Sequence, residues 1–163
     1  MEISKLKNKS IELTEDQLKK IYHFIYETAE SHQANDRKIE TIRDNIQLGK
    51  KGEFILKNLC DAEDIPCSEV KLENSRYGDG GFDLVLDNIK TDVKALDKLW
   101  KSRVYLGSSS TNDMWSFVMI NGNRGKYIGS LLRKDIQMRD LKYDSENGNA
   151  VYVSRELFEK SPY

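Results

Sequence analysis

The spacing of apolar residues changes once along this chain, near Cys60, and that change constrains the fold most. Before it, Leu18, Ile21, Tyr22, Ile25 and Ala29 recur every three or four residues, the spacing that lines one face of a helix. Thr14-Glu15-Asp16-Gln17 supplies a capping-box start for that helix. A second helical segment begins near Asp36 with Ile39, Ile42 and Ile46 on one side, and a kink or restart is expected at Gly49-Lys50-Lys51-Gly52. From Glu53 to Cys60 it continues with Phe54, Ile55 and Leu59 apolar. After Cys60 the period becomes two. Strands are expected at 69–73, 82–86, 90–96, 103–106 and 115–120, with weaker ones at 126–129 and 150–153. Short helices are expected at 131–136 behind Ser130 and at 155–158 behind Ser154. Helices followed by a mostly β body make a mixed α/β or α+β chain, divided here into a helical arm at 1–47 and a body at 48–163.

Composition narrows the class. The 163 residues are 33% charged and 38% apolar, which suits one ordinary soluble core. No apolar run approaches the roughly 18 residues of a membrane span, and no apolar stretch follows the basic start of a signal peptide. A cytoplasmic protein is expected, with Cys60 and Cys67 as reduced structural thiols. The only histidines, His23 and His32, stand far from the acidic centre, which argues against zinc-dependent and HNH-type nuclease chemistry. Neither a P-loop nor a Gly-x-Ser-x-Gly elbow occurs. Net charge is −1, but its distribution is uneven. Residues 61–99 hold ten acids and five bases, whereas 100–143 hold eight bases and three acids. A cation site beside a phosphate-binding surface needs that arrangement, and a solvated charged surface also produces it.

Chemistry concentrates in the stretch from Gly78 to Leu96. Asp87-Asn88 suits a two-residue turn, because both residue types tolerate positive φ. A turn there sets Asp83 directly opposite Asp92, with Cβ atoms about 4.5–5.5 Å apart. Alternation then puts Lys94 on the face of Asp92 and turns Val93 and Ala95 toward a core. Two opposed carboxylates repel unless they share a cation. Hard oxygen donors of this kind suit Mg²⁺ or Mn²⁺, and a nearby lysine can hold the attacking water.

The pattern Asp83…Asp92-Val93-Lys94, with Glu53 on a preceding helix, resembles the PD-(D/E)XK nuclease superfamily over roughly residues 49–96. Phe82 replaces the proline of that motif. The resemblance implies a restriction-endonuclease-like core, a central mixed sheet flanked by helices, and a Mg²⁺-dependent endonuclease acting on DNA, with Mn²⁺ as a substitute. It implies metal ligation by Asp83, Asp92, Glu53 and the Val93 carbonyl, a catalytic role for Glu53, Asp83, Asp92 and Lys94, and products with 5′-phosphate and 3′-hydroxyl ends. Asp79 is the rival of Asp83 as first ligand, out of register with Asp92. Lys50, Lys51, Arg103, Arg124, Lys126, Arg133 and Lys134 are the candidates for phosphate contact. Tyr105, Trp115 and Tyr127 are candidates for base stacking, although the surroundings of Trp115 read as core. Ser108-Ser109-Ser110-Thr111 reads as a polar loop. The expected partner is nucleic acid, with a homodimer contact through the N-terminal helices. The alternatives are an RNA-directed nuclease and a non-catalytic DNA-binding or protein-interaction module on the same fold.

Overall fold

A computed structural model describes residues 1–31, 36–72, 81–97, 103–106, 111–144 and 150–163. It contains a long helical pair, a five-stranded sheet and a small second sheet. Helix α1 (Glu15–Ser31) starts as expected: the Gln17 amide donates to Thr14 Oγ1 and the Thr14 amide donates to Gln17 Oε1, each at 3.1 Å. Helix α2 (Asp36–Ala62) runs uninterrupted through Gly49–Gly52, so the helix does not restart there. Gly52 serves a different purpose there. A Cβ on it would stand 2.7 Å from the Ala95 Cβ, so glycine lets the helix lie directly against the sheet. No described helix is long and apolar enough to cross a membrane.

The main sheet runs β1 (Ser10–Glu12), β6 (Arg124–Leu132), β5 (Met114–Asn121), β3 (Ile89–Asp97), β2 (Leu84–Leu86), with β3 and β5 parallel and the other pairs antiparallel. A second sheet sets β8 (Ala150–Ser154) between β4 (Arg103–Tyr105) and β7 (Lys142–Asp144), and α3 (Arg155–Glu159) follows β8. One face of the main sheet packs on α2, with Val93, Leu84, Val118 and Tyr127 against Ile55, Leu56 and Leu59. The other face gathers Leu96, Trp115, Phe117 and Leu131 against Val104, Val153 and Phe158. Phe117 and Phe158 stack with ring centres 3.9 Å apart. Gly129 faces the Phe158 carbonyl at a distance that leaves no room for a side chain.

Several expectations are corrected. No described residue of 69–73 is in a strand, although Cys67 makes an isolated bridge to Leu86. The helix expected at 131–136 is the end of β6 followed by one 3-10 turn at Arg133–Asp135. Strands β1 and β7 and the 3-10 helix Glu2–Leu6 were not expected at all. The boundary drawn between residues 47 and 48 falls inside α2, and Ile3, Leu6, Leu13, Ile21 and Ile25 share one core with Leu56 and Val118. Mixed α/β architecture is thus observed, with helix α2 on one face and a small sheet plus α3 on the other.

Candidate active site

The β2–β3 hairpin turns through Asp87 (φ 48°) and Asn88 (φ 65°), the two positive values that such a tight turn requires. Leu86 pairs with Ile89, Val85 with Lys90 and Leu84 with Thr91. The ladder stops at Leu84: Asp83 forms a bend whose amide turns to the Thr91 carbonyl, so the expected strand pairing of Asp83 with Asp92 is not formed. Leu84 and Leu86 are fully buried on the α2 side, where Val93 is also buried. Asp92 and Lys94 alternate with Val93 and so lie on the other face, beside Trp115 and Phe117, their pairing partners in β5.

Strand β2 starts at Leu84, and its beginning shapes the site. Alternate residues of β3 direct their backbone groups to one neighbour. The Lys90 carbonyl points toward β5 and accepts from the Asp113 amide at 2.8 Å. Thr91 and Val93 therefore point theirs toward β2. The Thr91 carbonyl accepts from the Asp83 amide at 2.9 Å. No strand residue stands opposite Val93, and the Asp83 carboxylate fills that role: its Oδ2 accepts the Val93 N–H at 2.7 Å. The Val93 carbonyl faces this same edge.

Charge is compensated locally. Lys94 Nζ lies 2.7 Å from Asp92 Oδ2, with the two side chains 23% and 16% exposed, so the pair is partly desolvated yet open to solvent. Glu53 is almost completely buried, and Lys50 Nζ donates to both of its oxygens, at 3.0 and 2.8 Å. The same ammonium stands 5.1 Å from the centre of the Phe24 ring. Glu53 belongs to the helix that covers the Val93 face, so it would reach Asp92 only around the sheet edge where β2 begins. Among the described residues, no three carboxylates, imidazoles or thiolates converge on one point. The hairpin's own donors, two carboxylates and a backbone carbonyl, still fit Mg²⁺, which keeps several waters and takes only one or two carboxylates.

The candidate phosphate contacts separate into groups. Arg133 and Lys134 lie at the end of β6, level with the start of β3, and line a cleft of about 460 Å³ with Asn88 and Asp113. Arg124 and Lys126 sit at the other end of β6, where Arg124 bonds Ser10 and pairs with Glu12. Lys51 donates to the Gly122 carbonyl at 2.9 Å and to Asn123 Oδ1 at 3.2 Å, tying α2 to the β5–β6 turn; its burial holds its pKa below the usual lysine value. That turn is seven residues along β5 from the level of Asp92, roughly 23 Å of strand. Lys50 is engaged with Glu53. Arg103 lies in β4, but its side chain falls outside the described residues, as do Asp79, Ser108–Ser110 and His32. Tyr127 is fully buried and hydrogen-bonded to Ser130 at 2.6 Å, which removes it as a base-stacking residue. Trp115 is 4% exposed and donates Nε1–H to the Leu106 carbonyl, as a core residue does.

Two basic residues near Asp83 were not anticipated. Lys71 and Lys90 place their ammonium groups 4.2 and 5.4 Å from the centre of the Phe82 ring, next to Asp83 in sequence. Lys90 was findable, since it precedes Asp92 by two in the same strand and shares its face. Nothing in the local sequence points to Lys71. Comparison of the chain with protein-family models, curated proteins and solved structures found no match.

Proposed function

We propose that this protein is a Mg²⁺-dependent nuclease of the PD-(D/E)XK type that hydrolyses phosphodiester bonds in DNA. The observation that carries this reading is the edge of the hairpin, where the Asp83 carboxylate accepts the Val93 N–H at 2.7 Å, one residue from Asp92, and Lys94 lies against Asp92 at 2.7 Å on a partly open face. Asp83, Asp92 and the Val93 carbonyl are the cation ligands in this reading, with Glu53 contributing through water around the sheet edge. A bound Mg²⁺ would polarise the phosphoryl oxygens there. Asp83 and Asp92 orient the site, and Lys94 holds the attacking water and offsets charge on the phosphorus in the transition state. Water adds to phosphorus and the P–O3′ bond breaks, leaving 5′-phosphate and 3′-hydroxyl ends.

One observation favours a second reading. Glu53 and Asp92 already have lysine partners, and among the described residues no third ligand converges on them, which suits a non-catalytic nucleic-acid-binding module. Incubating the protein with plasmid, linear duplex, single-stranded DNA, RNA and a four-way junction separates the readings. Cleavage of DNA in Mg²⁺ or Mn²⁺, lost in EDTA and in Asp92→Ala, is the expected result. Binding without cleavage under every metal condition selects the module, and cleavage confined to RNA changes the substrate.

A further inference from the structure

Helix α2 ends in a turn that folds the chain back against its own last residues. The Ile65 amide donates to the Cys60 carbonyl at 2.9 Å and the Asp64 amide to the Asp61 carbonyl at 3.4 Å, with Asp64 at φ 55°. These two bonds make a Schellman ending, which packs the residues after a helix on those of its last turn. Cys67 comes two residues after Ile65 and forms a bridge with Leu86. Around that bridge the Pro66 carbonyl accepts from the Asp87 amide at 2.8 Å, and the Ser68 amide donates to the Val85 carbonyl at 2.9 Å. Residues 66–68 thus run along β2 on the side away from β3. This path sets Cys67 beside Cys60: both pack in the cluster under α2, and the Cys60 thiol donates to the Cys67 sulfur.

The two sulfurs are free thiols of unequal exposure, Cys60 fully buried and Cys67 half-buried. Donation from Cys60, helped by the nearby Lys57 ammonium, holds the Cys67 thiol below its ordinary value, although burial opposes this. The same bond, together with burial, pushes Cys60 up. An accessible thiol of lowered pKa is the one that attacks a disulfide, and a buried neighbour can then displace what it has captured. We propose that Cys67 and Cys60 form a reversible dithiol–disulfide pair that exchanges with small-molecule disulfides and, when closed, ties the end of α2 to the outer side of β2. The Cys67 thiolate attacks one sulfur of the reagent and expels the other as a thiolate, leaving a mixed disulfide. The Cys60 sulfur then attacks Cys67 and expels the second thiolate. One S–S bond breaks in the reagent and one forms in the protein; two electrons pass to the reagent, and the two thiol protons end on the released thiols.

Equilibration of the native protein with mixtures of oxidised and reduced glutathione, followed by alkylation and intact-mass measurement, tests this. These are the chain's only two cysteines, so the thiol count is unambiguous. The expected result is loss of both thiols together, with no glutathione retained, and return of both in dithiothreitol. Closure should raise the thermal midpoint by about 5 °C. Its equilibrium constant should be at least about tenfold larger in native buffer than in concentrated urea, since the fold holds the sulfurs together. Cys60→Ser should trap a mixed disulfide at Cys67, and Cys67→Ser should leave Cys60 unmodified. Should Cys60→Ser fail to fold, the wild-type equilibrium still decides the pairing. Two alkylatable thiols at saturating oxidised glutathione, one glutathione held per chain, a bond between chains, or equal closure constants in buffer and urea overturns the pair. Glutathione trapped on Cys60 rather than Cys67 overturns the order of attack. Neither readout involves nucleic acid, so the pair is tested independently of the nuclease reading.

Discussion

Asp83 has one observed duty, to the Val93 amide, and one proposed above, to a cation, and substitutions can separate them. Its Oδ2 satisfies the Val93 N–H at a point where β2 offers no backbone partner. Asp83→Asn keeps an acceptor in place, so stability should change little while metal-dependent cleavage falls by several orders of magnitude. Asp83→Ala leaves that amide without its acceptor and should cost about 1–3 kcal/mol as well. Urea denaturation of the two variants checks this; equal stability loss in both would mean that the hydrogen bond contributes nothing. Glu53 presents the complementary case. Its buried carboxylate is held by both hydrogen bonds from Lys50. Lys50→Ala removes those two charge-assisted hydrogen bonds from a buried carboxylate and should cost about 1.5–3 kcal/mol. If Glu53 also serves a cation, Mg²⁺ should raise the thermal midpoint of Lys50→Ala more than that of the wild type. An equal Mg²⁺ shift in both proteins would remove Glu53 from the ligand set.

At the scale of elements, the hairpin was legible because its turn chemistry and its alternation agree. Asp87 and Asn88 adopt positive φ, and burial of Leu84, Leu86 and Val93 fixes which face is which. Replacing Asn88 with Val puts a β-branched residue at φ 65° and should cost about 1–3 kcal/mol, whereas Asn88→Gly should be neutral or slightly stabilising. Comparable denaturation midpoints for the Val and Gly variants would show that the turn does not set the register. The end of β6 was misread for a physical reason. Ser130 resembled a helix cap, but its hydroxyl is bonded to Ser116 and Tyr127, each at 2.6 Å, inside the sheet. Strands β1 and β7 were not legible, because three residues hold too little alternation to register as a pattern. Gly49–Gly52 read as a kink or restart, and Gly52 proved to be a contact with Ala95, since periodicity within a helix does not say what lies against it.

Considered whole, the molecule joins its two apolar clusters through one polar centre. Ser116, Ser130 and Tyr127 connect β5 and β6 between the α2 side and the small-sheet side, and all three are fully buried. Such a network was not visible in the sequence, because it depends on which residues of two strands meet, and a bulge between Phe117 and Val118 resets that pairing. It also gives global stability a pH signature. Burial, partly opposed by the hydrogen bonds from the serines, pushes the Tyr127 phenol above its ordinary value of 10.0. In the unfolded chain that phenol ionises near pH 10, while in the folded protein it keeps its proton. Between about pH 10 and its native value the unfolded state therefore holds fewer protons, and stability falls as pH rises. Below pH 10 the phenol is protonated in both states and its contribution is constant. Tyr127→Phe loses a hydrogen bond and should cost about 1 kcal/mol at pH 8. The variant has nothing to ionise at this position, so its deficit relative to the wild type should shrink as pH passes 10. The other tyrosines and the lysines titrate alike in both proteins and cancel in the difference. Urea denaturation of the pair from pH 8 to pH 11 gives that difference directly. A gap that stays constant through pH 11 would mean that the phenol ionises equally in both states, and that the centre of the sheet is wetter than the packing of Tyr127 requires.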